Sequence, residues 1–206
     1  MQVSRAPVQA GLHDPRESAG KQGLSISAVA WGVSLALAAW PAAAVVVTSG
    51  DVSPVIASAP NVNVAGQRVF IGFTTGGVGT FGTLTVNGGS SLTAAQITPG
   101  IGGLGTGIVT VTGAGSIINL TGGGAFNGLD IGSWGTGTMT VSSGGQVVCS
   151  SPLACPFSDI GDAAGSNGTL AINGGSVSGL GTLTVGRGAL QTGFGTPGAS
   201  TTGTLS

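Results

Sequence analysis

The chain has 206 residues, of which 42 are glycine and 9 are proline, and its formal net charge at pH 7 is −1. With only 5 Lys or Arg residues it has no cationic patch to neutralise phosphates, which excludes nucleic-acid binding. A hydrophobic fraction of 41% separates it from chains that are disordered because they are polar and charged. Its clustered glycines do not follow the every-third-residue pattern of collagen. What remains is a β-protein rich in Gly, Val, Ile, Leu and Thr, or an unstructured linker.

The N-terminal 44 residues have the pattern of a helical signal peptide. A charged region is followed by the apolar stretch Leu24–Trp40 and then by the small residues of 41–44. This order is typical of a secretory leader, and it predicts cleavage after Ala44 and export of the rest to the cell surface or the medium. The alternative is an uncleaved membrane anchor, since Leu24–Val47 is about long enough to span a bilayer. Pro41 would break such a helix, which favours cleavage.

Internal repeats organise the residues that follow. Apolar-Gly pairs recur at spacings of 30, 30, 29 and 25 residues. The pairs are Ile71-Gly72, Ile101-Gly102, Ile131-Gly132, Ile160-Gly161 and Val185-Gly186. Behind most of them comes a glycine-rich turn and a short segment in which Thr alternates with apolar residues, the pattern of a half-buried strand. These strands are predicted at residues 82–86, 107–111, 137–141 and 168–172.

A repeat of about 30 residues cannot bury its own apolar face, whereas stacked repeats bury a continuous core. We therefore predict an all-β fold, a parallel β-helix of about five coils. The helix would occupy residues 70–206, behind an N-terminal cap segment at 45–69. The alternative is an antiparallel sandwich or barrel, because Asn-Gly turns also join hairpins.

Two stretches carry a resemblance to a known family. IGSWGTGTMTVSSGG (Ile131–Gly145) and IGDAAGSNGTLAINGG (Ile160–Gly175) resemble the repeat of type V secretion (autotransporter) and PEP-CTERM proteins. The resemblance covers Phe70–Ser206. It implies a right-handed β-helical stalk, a passenger domain with a structural or adhesive role at the bacterial outer membrane. Its contacts would be a host surface, a polysaccharide or other cells.

The family's C-terminal features have no counterpart here. No translocator barrel and no Pro-Glu-Pro sorting tail is found, and Gly203–Ser206 resembles the opening of one more strand. We therefore expect a fragment of a longer protein. Two alternatives stay open: an exported envelope or matrix protein of the PEP-CTERM type, and a fragment of a β-helical enzyme that acts on polysaccharides.

The residues after Ala44 offer little for catalysis. The segment contains no His, Lys, Glu or Tyr, and His13 would leave with the leader, which excludes a Ser-His-Asp triad. The charged residues that remain are Asp51, Arg68, Asp130, Asp159, Asp162 and Arg187. We therefore expect a protein that is not an enzyme and has no cofactor.

Three aspartates form the one acidic pattern. Asp130 and Asp159 each precede an Ile-Gly pair, so in register they would stack on adjacent coils, with Asp162 just beyond. We interpret them as turn residues that bond nearby amides and keep the surface soluble. The alternatives are a calcium site or a hydrolytic carboxylate pair.

Two further features complete the sequence-based expectations. Cys149 and Cys155 lie in one loop, CSSPLAC, and we predict a local disulfide because an exported protein is in a compartment where disulfides persist. Trp134 follows the third Ile-Gly pair, where it packs across the corner or stacks on a sugar or partner. The GxGxxG pattern at Gly77–Gly82 lacks the following helix that dinucleotide binding requires.

Overall fold

The computed structural model describes residues 43–73, 77–122, 128–186 and 202–206. Every regular element in these ranges is a β-strand, so the prediction of an all-β fold is confirmed. They contain no helix that is long and apolar enough to cross a membrane. Apart from its last two residues, the predicted signal peptide of residues 1–44 lies outside these ranges.

Most strands have seven residues or fewer, since glycine-rich turns interrupt the chain, whereas two strands have 13 and 11 residues. In chain order they are β1 Val45–Gly50, β2 Val52–Ser53, β3 Asn61–Phe73, β4 Phe81–Asn87, β5 Ser91–Ile101, β6 Thr106–Thr112, β7 Ile117–Leu120, β8 Asp130–Ile131, β9 Thr136–Ser142, β10 Gln146–Cys149, β11 Phe157–Ile160, β12 Asn167–Asn173, β13 Ser176–Ser178, β14 Thr182–Val185 and β15 Thr202–Leu205.

The strands assemble into three sheets that run along one axis. The first sheet has the order β1-β4-β6-β9-β12-β15, the second β13-β10-β7-β5-β3-β2, and the third β14-β11-β8. A parallel bridge between Ile97 and Leu129 continues the third sheet onto the second half of β5. Each turn of the chain thus contributes one strand to each sheet in succession, which is the architecture of a parallel β-solenoid.

The solenoid has about four turns rather than the five that were expected from the five apolar-Gly pairs. The difference arises at the first pair. Ile71-Gly72 lies in β3, and the strand that occupies the first sheet before it, β1, runs antiparallel to β4. Because β1 does not follow the repeat, the first pair does not complete a coil of its own.

The four predicted strands of the Thr-rich motif lie in β4, β6, β9 and β12 of the first sheet. They stack in parallel with their opening glycines in register, as the repeat predicts. These register partners are Gly82, Gly107, Gly137 and Gly168, and Gly203 of β15 pairs with the last of them. The prediction that Gly203 opens a further strand is therefore confirmed, and the alternative of an antiparallel sandwich is wrong.

The core fills the space between the three sheets. Alternate residues of the repeat strands β4, β6, β9 and β12 point inward, and the fully buried apolar ones are Leu84, Val86, Val109, Val111, Met139, Val141 and Leu170. Burial of each such side chain stabilises the fold by about 1.5–3 kcal/mol. Ile172, the expected inward partner in β12, is partly exposed. The apolar face is therefore continuous through the middle coils and less complete at β12.

Each turn ends in a glycine with a left-handed backbone. The glycines that share this corner of the solenoid are Gly72, Gly100, Gly132, Gly161 and Gly186, with φ between 63° and 73°. A Cβ on Gly132 would lie 2.5 Å from the carbonyl oxygen of Asn167, which begins β12 in the neighbouring coil. At Gly132 glycine is therefore required twice, for its φ angle and for the close approach of β12 in the neighbouring coil.

One repeat pair is assigned incorrectly by the sequence pattern. Ile71 is the register partner of Pro99, and Ile101 pairs two residues further on with Phe73. The corner glycine of that coil is Gly100, not Gly102. The Ile-Gly letters recur at 101–102 by coincidence, while Pro99-Gly100 occupies the equivalent backbone position.

The N-terminal end of the described solenoid is closed by strands that break the repeat. β1 pairs antiparallel with β4, and β2 pairs antiparallel with β3. Ser90 joins β1 to the first turn, since its hydroxyl donates to the carbonyl of Val45 at 2.9 Å. β3 is already parallel to β5 from Asn61 onward, so the predicted cap segment of 45–69 includes the first part of a solenoid strand.

Candidate functional site

The outer face of the third sheet carries the stacked aspartates. Asp130 of β8 and Asp159 of β11 are register partners, as the sequence register predicts. Asp159 in turn pairs with Thr184 of β14. On the other side of Asp130 the same row continues to Thr98, because Ile97 bridges to Leu129. The strands thus place polar side chains one above another along the solenoid axis.

A cavity of about 270 Å³ opens over this row. Its polar lining consists of Arg68, Gln96, Thr98, Asp130, Ser133 and Asp162. Its apolar lining consists of Phe70, Ile101 and Trp134. We call this cavity the carboxylate cleft. Most of the few charged residues that follow Ala44 gather in or beside it.

Sequence reasoning identified the aspartates but missed the other polar groups of the carboxylate cleft. Arg68 and Gln96 lie on β3 and β5, a few residues before the pairs Ile71-Gly72 and Ile101-Gly102, but they have no counterpart in the other repeats. They meet because β3 and β5 are parallel partners, with Arg68 opposite Gln96. The Nε of Arg68 donates to the Oε1 of Gln96 at 2.8 Å. The signal that could have found them is the register of these two strands, which a bulge after Val64 shifts.

The acidity of Asp130 is strongly perturbed. Burial, followed by the negative charge of Asp162, raises its pKa from 3.8 to about 7. Asp159 raises the pKa further, whereas a hydrogen bond from Ser133 and the charge of Arg68 lower it. The Oδ1 atom of Asp130 is buried and has no hydrogen-bond partner. Its carboxyl group is therefore protonated for a substantial fraction of the time near neutral pH.

Thr98 is the second incompletely satisfied group. Its side chain is 1% exposed, it lines the carboxylate cleft, and its Oγ1 atom has no hydrogen-bond partner. Leaving a buried hydroxyl unpaired costs about 1–3 kcal/mol. A hydroxyl that is buried and unpaired at the wall of a cavity is well placed to bond a molecule inside that cavity.

Trp134 forms the rim of the carboxylate cleft. It lies just beyond the corner glycine Gly132, and 41% of its surface remains exposed. Its φ angle is 70°, which is uncommon for a bulky residue. An antiparallel bridge to Ile101 holds its backbone against the neighbouring coil. The indole thus borders the cleft while one of its surfaces faces solvent.

The three aspartates do not form a metal cage. Among the described residues, which include Asp130, Asp159 and Asp162, no three His, Cys, Asp or Glu side chains are arranged to hold a metal ion. The candidate dinucleotide motif at Gly77–Gly82 leads into strand β4 rather than a helix, so its structural context is not that of a dinucleotide site.

A second cavity, of about 310 Å³, adjoins the first. It shares Phe70 and Ile101 with the carboxylate cleft and extends past Phe73 toward Ser53. Its walls are mostly apolar.

A disulfide-braced loop lies on another part of the surface. Cys149 and Cys155 are joined by a disulfide, with 6.1 Å between their Cα atoms. Between them the chain turns at Ser151, whose hydroxyl accepts from the amide of Ala154 at 3.1 Å. Leu153 stands at the tip of the loop and is 91% exposed. The loop is therefore fixed at its base and presents an apolar side chain outward.

Neither a model of a protein family, nor a curated protein, nor a solved structure matches the chain.

Proposed function

We propose that the protein is an exported, autotransporter-passenger-like repeat protein whose solenoid serves a structural or adhesive role at the cell surface. The solenoid would be a right-handed stalk, the hand that crossover connections between parallel strands of one sheet nearly always take. Its partners would be a host surface, a polysaccharide or other cells. In this role the rigid stack of coils holds its side loops in fixed positions for contact.

The loop of residues 149–155 is the observation that carries this proposal. A disulfide persists in oxidising compartments, which agrees with the export pattern of the first 44 residues. A leucine that is almost fully exposed does nothing for the core. Because the disulfide limits the freedom of the loop, less ordering entropy is lost when Leu153 contacts a partner.

Export is tested on the 206-residue chain produced in a bacterial host. We expect the N-terminus of the exported protein to be Val45, measured by mass spectrometry, and we expect protease added to intact cells to degrade it. A protein that keeps Met1 and stays protected inside the cells would overturn the proposal.

Adhesion is tested by binding of the producing cells to immobilised polysaccharide and to a second cell layer. Leu153→Ser is expected to weaken attachment. Val55→Ser is the matched control, because Val55 is also apolar and 93% exposed but lies outside the braced loop. Equal attachment of both variants and the unchanged protein would remove the loop from the adhesive role.

A second candidate function is favoured by one observation, the neighbouring carboxyl groups of Asp130 and Asp159. Glycoside hydrolysis uses two such groups, one protonated and one ionised, and the raised pKa of Asp130 suits the protonated partner. Under this candidate the chain is part of a polysaccharide-acting enzyme. Release of reducing ends from a polysaccharide, abolished by Asp159→Asn, would establish it.

A further inference from the structure

We propose that the carboxylate cleft is a carbohydrate-binding subsite that takes one neutral pyranose residue, held by hydrogen bonds to Thr98 and Asp130 and by contact with Trp134. The proposal names the ligand class of the adhesive surface and rests on the proposed function in that respect. The site is separate from the disulfide-braced loop.

The unpaired polar atoms of the cleft define what the ligand must offer. Thr98 Oγ1 and Asp130 Oδ1 are both buried and both lack a hydrogen-bond partner. The carboxyl oxygen is an acceptor, while the threonine hydroxyl both donates and accepts. A sugar carries several hydroxyl groups that donate and accept in the same way. One pyranose ring could therefore satisfy both atoms with neighbouring hydroxyls.

The charges of the cleft select against ionic ligands. Asp162 lines the cleft together with Asp130, and Asp159 adjoins it, so an anionic ligand would meet like charge. Arg68 also lines the cleft, and its positive charge disfavours a cation. A neutral ligand avoids both conflicts. Among sugars this favours hexoses and N-acetylhexosamines over uronic acids and amino sugars.

The apolar walls of the cleft suit the face of a sugar ring. Trp134, Phe70 and Ile101 line one cavity with the polar groups, and Trp134 exposes part of its surface. Apolar walls with a few placed polar groups are the usual make-up of a small-molecule site. The volume of about 270 Å³ lies just below the range of about 300–1,000 Å³ typical of drug-sized ligands, which fits a single ring.

The second cavity lies beside the carboxylate cleft and has room for a neighbouring sugar residue. It shares Phe70 and Ile101 with the carboxylate cleft, so a neighbouring residue of an oligosaccharide could lie against their other sides. Phe70 lies on β3 and Ile101 on β5, so the shared wall is formed by two adjacent strands of the second sheet. An oligosaccharide is accordingly expected to bind more tightly than its monosaccharide.

The test uses the 206-residue chain and a panel of methyl glycosides: glucose, galactose, mannose and N-acetylglucosamine as neutral sugars, glucuronic acid as the anion, glucosamine as the cation. Saturation-transfer NMR and calorimetry measure binding. We expect at least one neutral glycoside to bind and the two charged ones to bind at least tenfold more weakly. Failure of every neutral glycoside to bind at its solubility limit would overturn the proposal, and so would equal binding of all six.

Variants locate the binding in the cleft. Thr98→Val keeps the shape of the side chain and removes the hydroxyl, and Trp134→Ala removes the indole. Each is expected to weaken binding about tenfold, the scale of one hydrogen bond or one aromatic contact. Thr138→Val is the matched control, since it makes the same change in β9 of the first sheet, away from the cleft. Unchanged affinity in both cleft variants, with native circular dichroism, would place the sugar elsewhere and overturn the assignment.

The experiments distinguish failure of the sugar site from failure of the proposed function. A chain that is exported and protease-accessible on cells but binds no glycoside would overturn only the sugar site. A chain that binds glycosides through Thr98 but stays inside the cell would overturn only the surface role.

Discussion

Asp130 and Asp159 are register partners on the parallel strands β8 and β11, so two carboxyl groups lie side by side on the outer face of the third sheet. The solenoid repeat enforces this arrangement, because residues at equivalent positions of successive coils stack directly. Two like charges at one strand spacing, about 4.8 Å, repel each other when both are ionised. Burial and the charge of Asp162 raise the pKa of Asp130 most, and the repulsion from Asp159 adds to them, so the fold favours the neutral form of Asp130.

The first prediction concerns stability and pH. Because burial and Asp162 raise the pKa of Asp130 to about 7, the folded protein keeps a proton that the unfolded chain releases near pH 4. The unfolded state therefore binds fewer protons between about pH 4 and pH 7. The free energy of unfolding is expected to fall by ~4 kcal/mol at most as pH rises through this window. Above the window it should level off.

Urea unfolding at a series of pH values measures this dependence. Asp130→Asn removes the titrating group and is expected to flatten the profile between pH 4 and 7. Asp51→Asn, an acidic residue outside the cleft, serves as the control and should leave the slope in place. A profile in Asp130→Asn as steep as that of the unchanged protein would assign the slope to another group.

The second prediction concerns the corner glycines. Gly132→Ala is expected to destabilise the solenoid by several kcal/mol, because the new Cβ would lie 2.5 Å from a backbone oxygen of Asn167 and the backbone φ is 73°. Gly165→Ala is the control: its φ of 81° is similar, but no atom lies within 4 Å of its Cβ. The control should therefore lose only about 1–2 kcal/mol, the cost of a left-handed backbone. Equal losses in urea unfolding would mean that close approach does not matter at this corner.

The third prediction concerns a turn that carries serine where its neighbours carry glycine. Ser143 has a φ of 52° and is exposed, and the turns of other coils have Gly88, Gly113 and Gly174 at this place. Ser143→Gly relieves about 1–2 kcal/mol of backbone strain in the folded state. It also makes the unfolded chain more flexible, which lowers the stability by about 0.5–1 kcal/mol. We expect a net stabilisation of about 0.5 kcal/mol. Ser178→Gly, in strand β13, should instead destabilise the protein, and a stabilised Ser178→Gly would contradict the backbone argument.

The strands of the first sheet could be predicted from the sequence because the pattern that marks each strand lies within the strand itself. Each has period-two alternation and an opening glycine, and the same pattern recurs in each coil. The inward positions of Leu84, Val109 and Met139 follow directly from that alternation. The stacking of Asp130 on Asp159 followed as well, since each precedes an Ile-Gly pair in a coil of nearly equal length.

The remaining features depend on information that no single repeat contains. The corner at Pro99-Gly100 was missed because the pair Ile101-Gly102, which follows it directly, matches the motif letters two residues out of register. Arg68, Gln96 and Thr98 reach the cleft through the shifted pairing of β3 with β5, in which a bulge follows Val64. A motif search compares letters at fixed spacing, whereas the cleft is assembled across coils whose spacing changes. The site was therefore recognised only in its most regular part, the aspartates.

The last prediction concerns the disulfide. Cys149 and Cys155 are both buried at the base of a short loop, and the bond restricts the unfolded chain over a separation of 6 residues. The double variant Cys149→Ala/Cys155→Ala is expected to lose about 2 kcal/mol of stability by the loop-closure relation. Reductant should lower the urea midpoint of the unchanged protein and leave that of the variant where it is. In the variant we also expect protease cleavage near the exposed Leu153, because the loop is no longer closed by the disulfide and opens more often. If reductant makes the thiols of the protein without substitutions reactive but does not lower its urea midpoint, core packing rather than the covalent bond holds the loop.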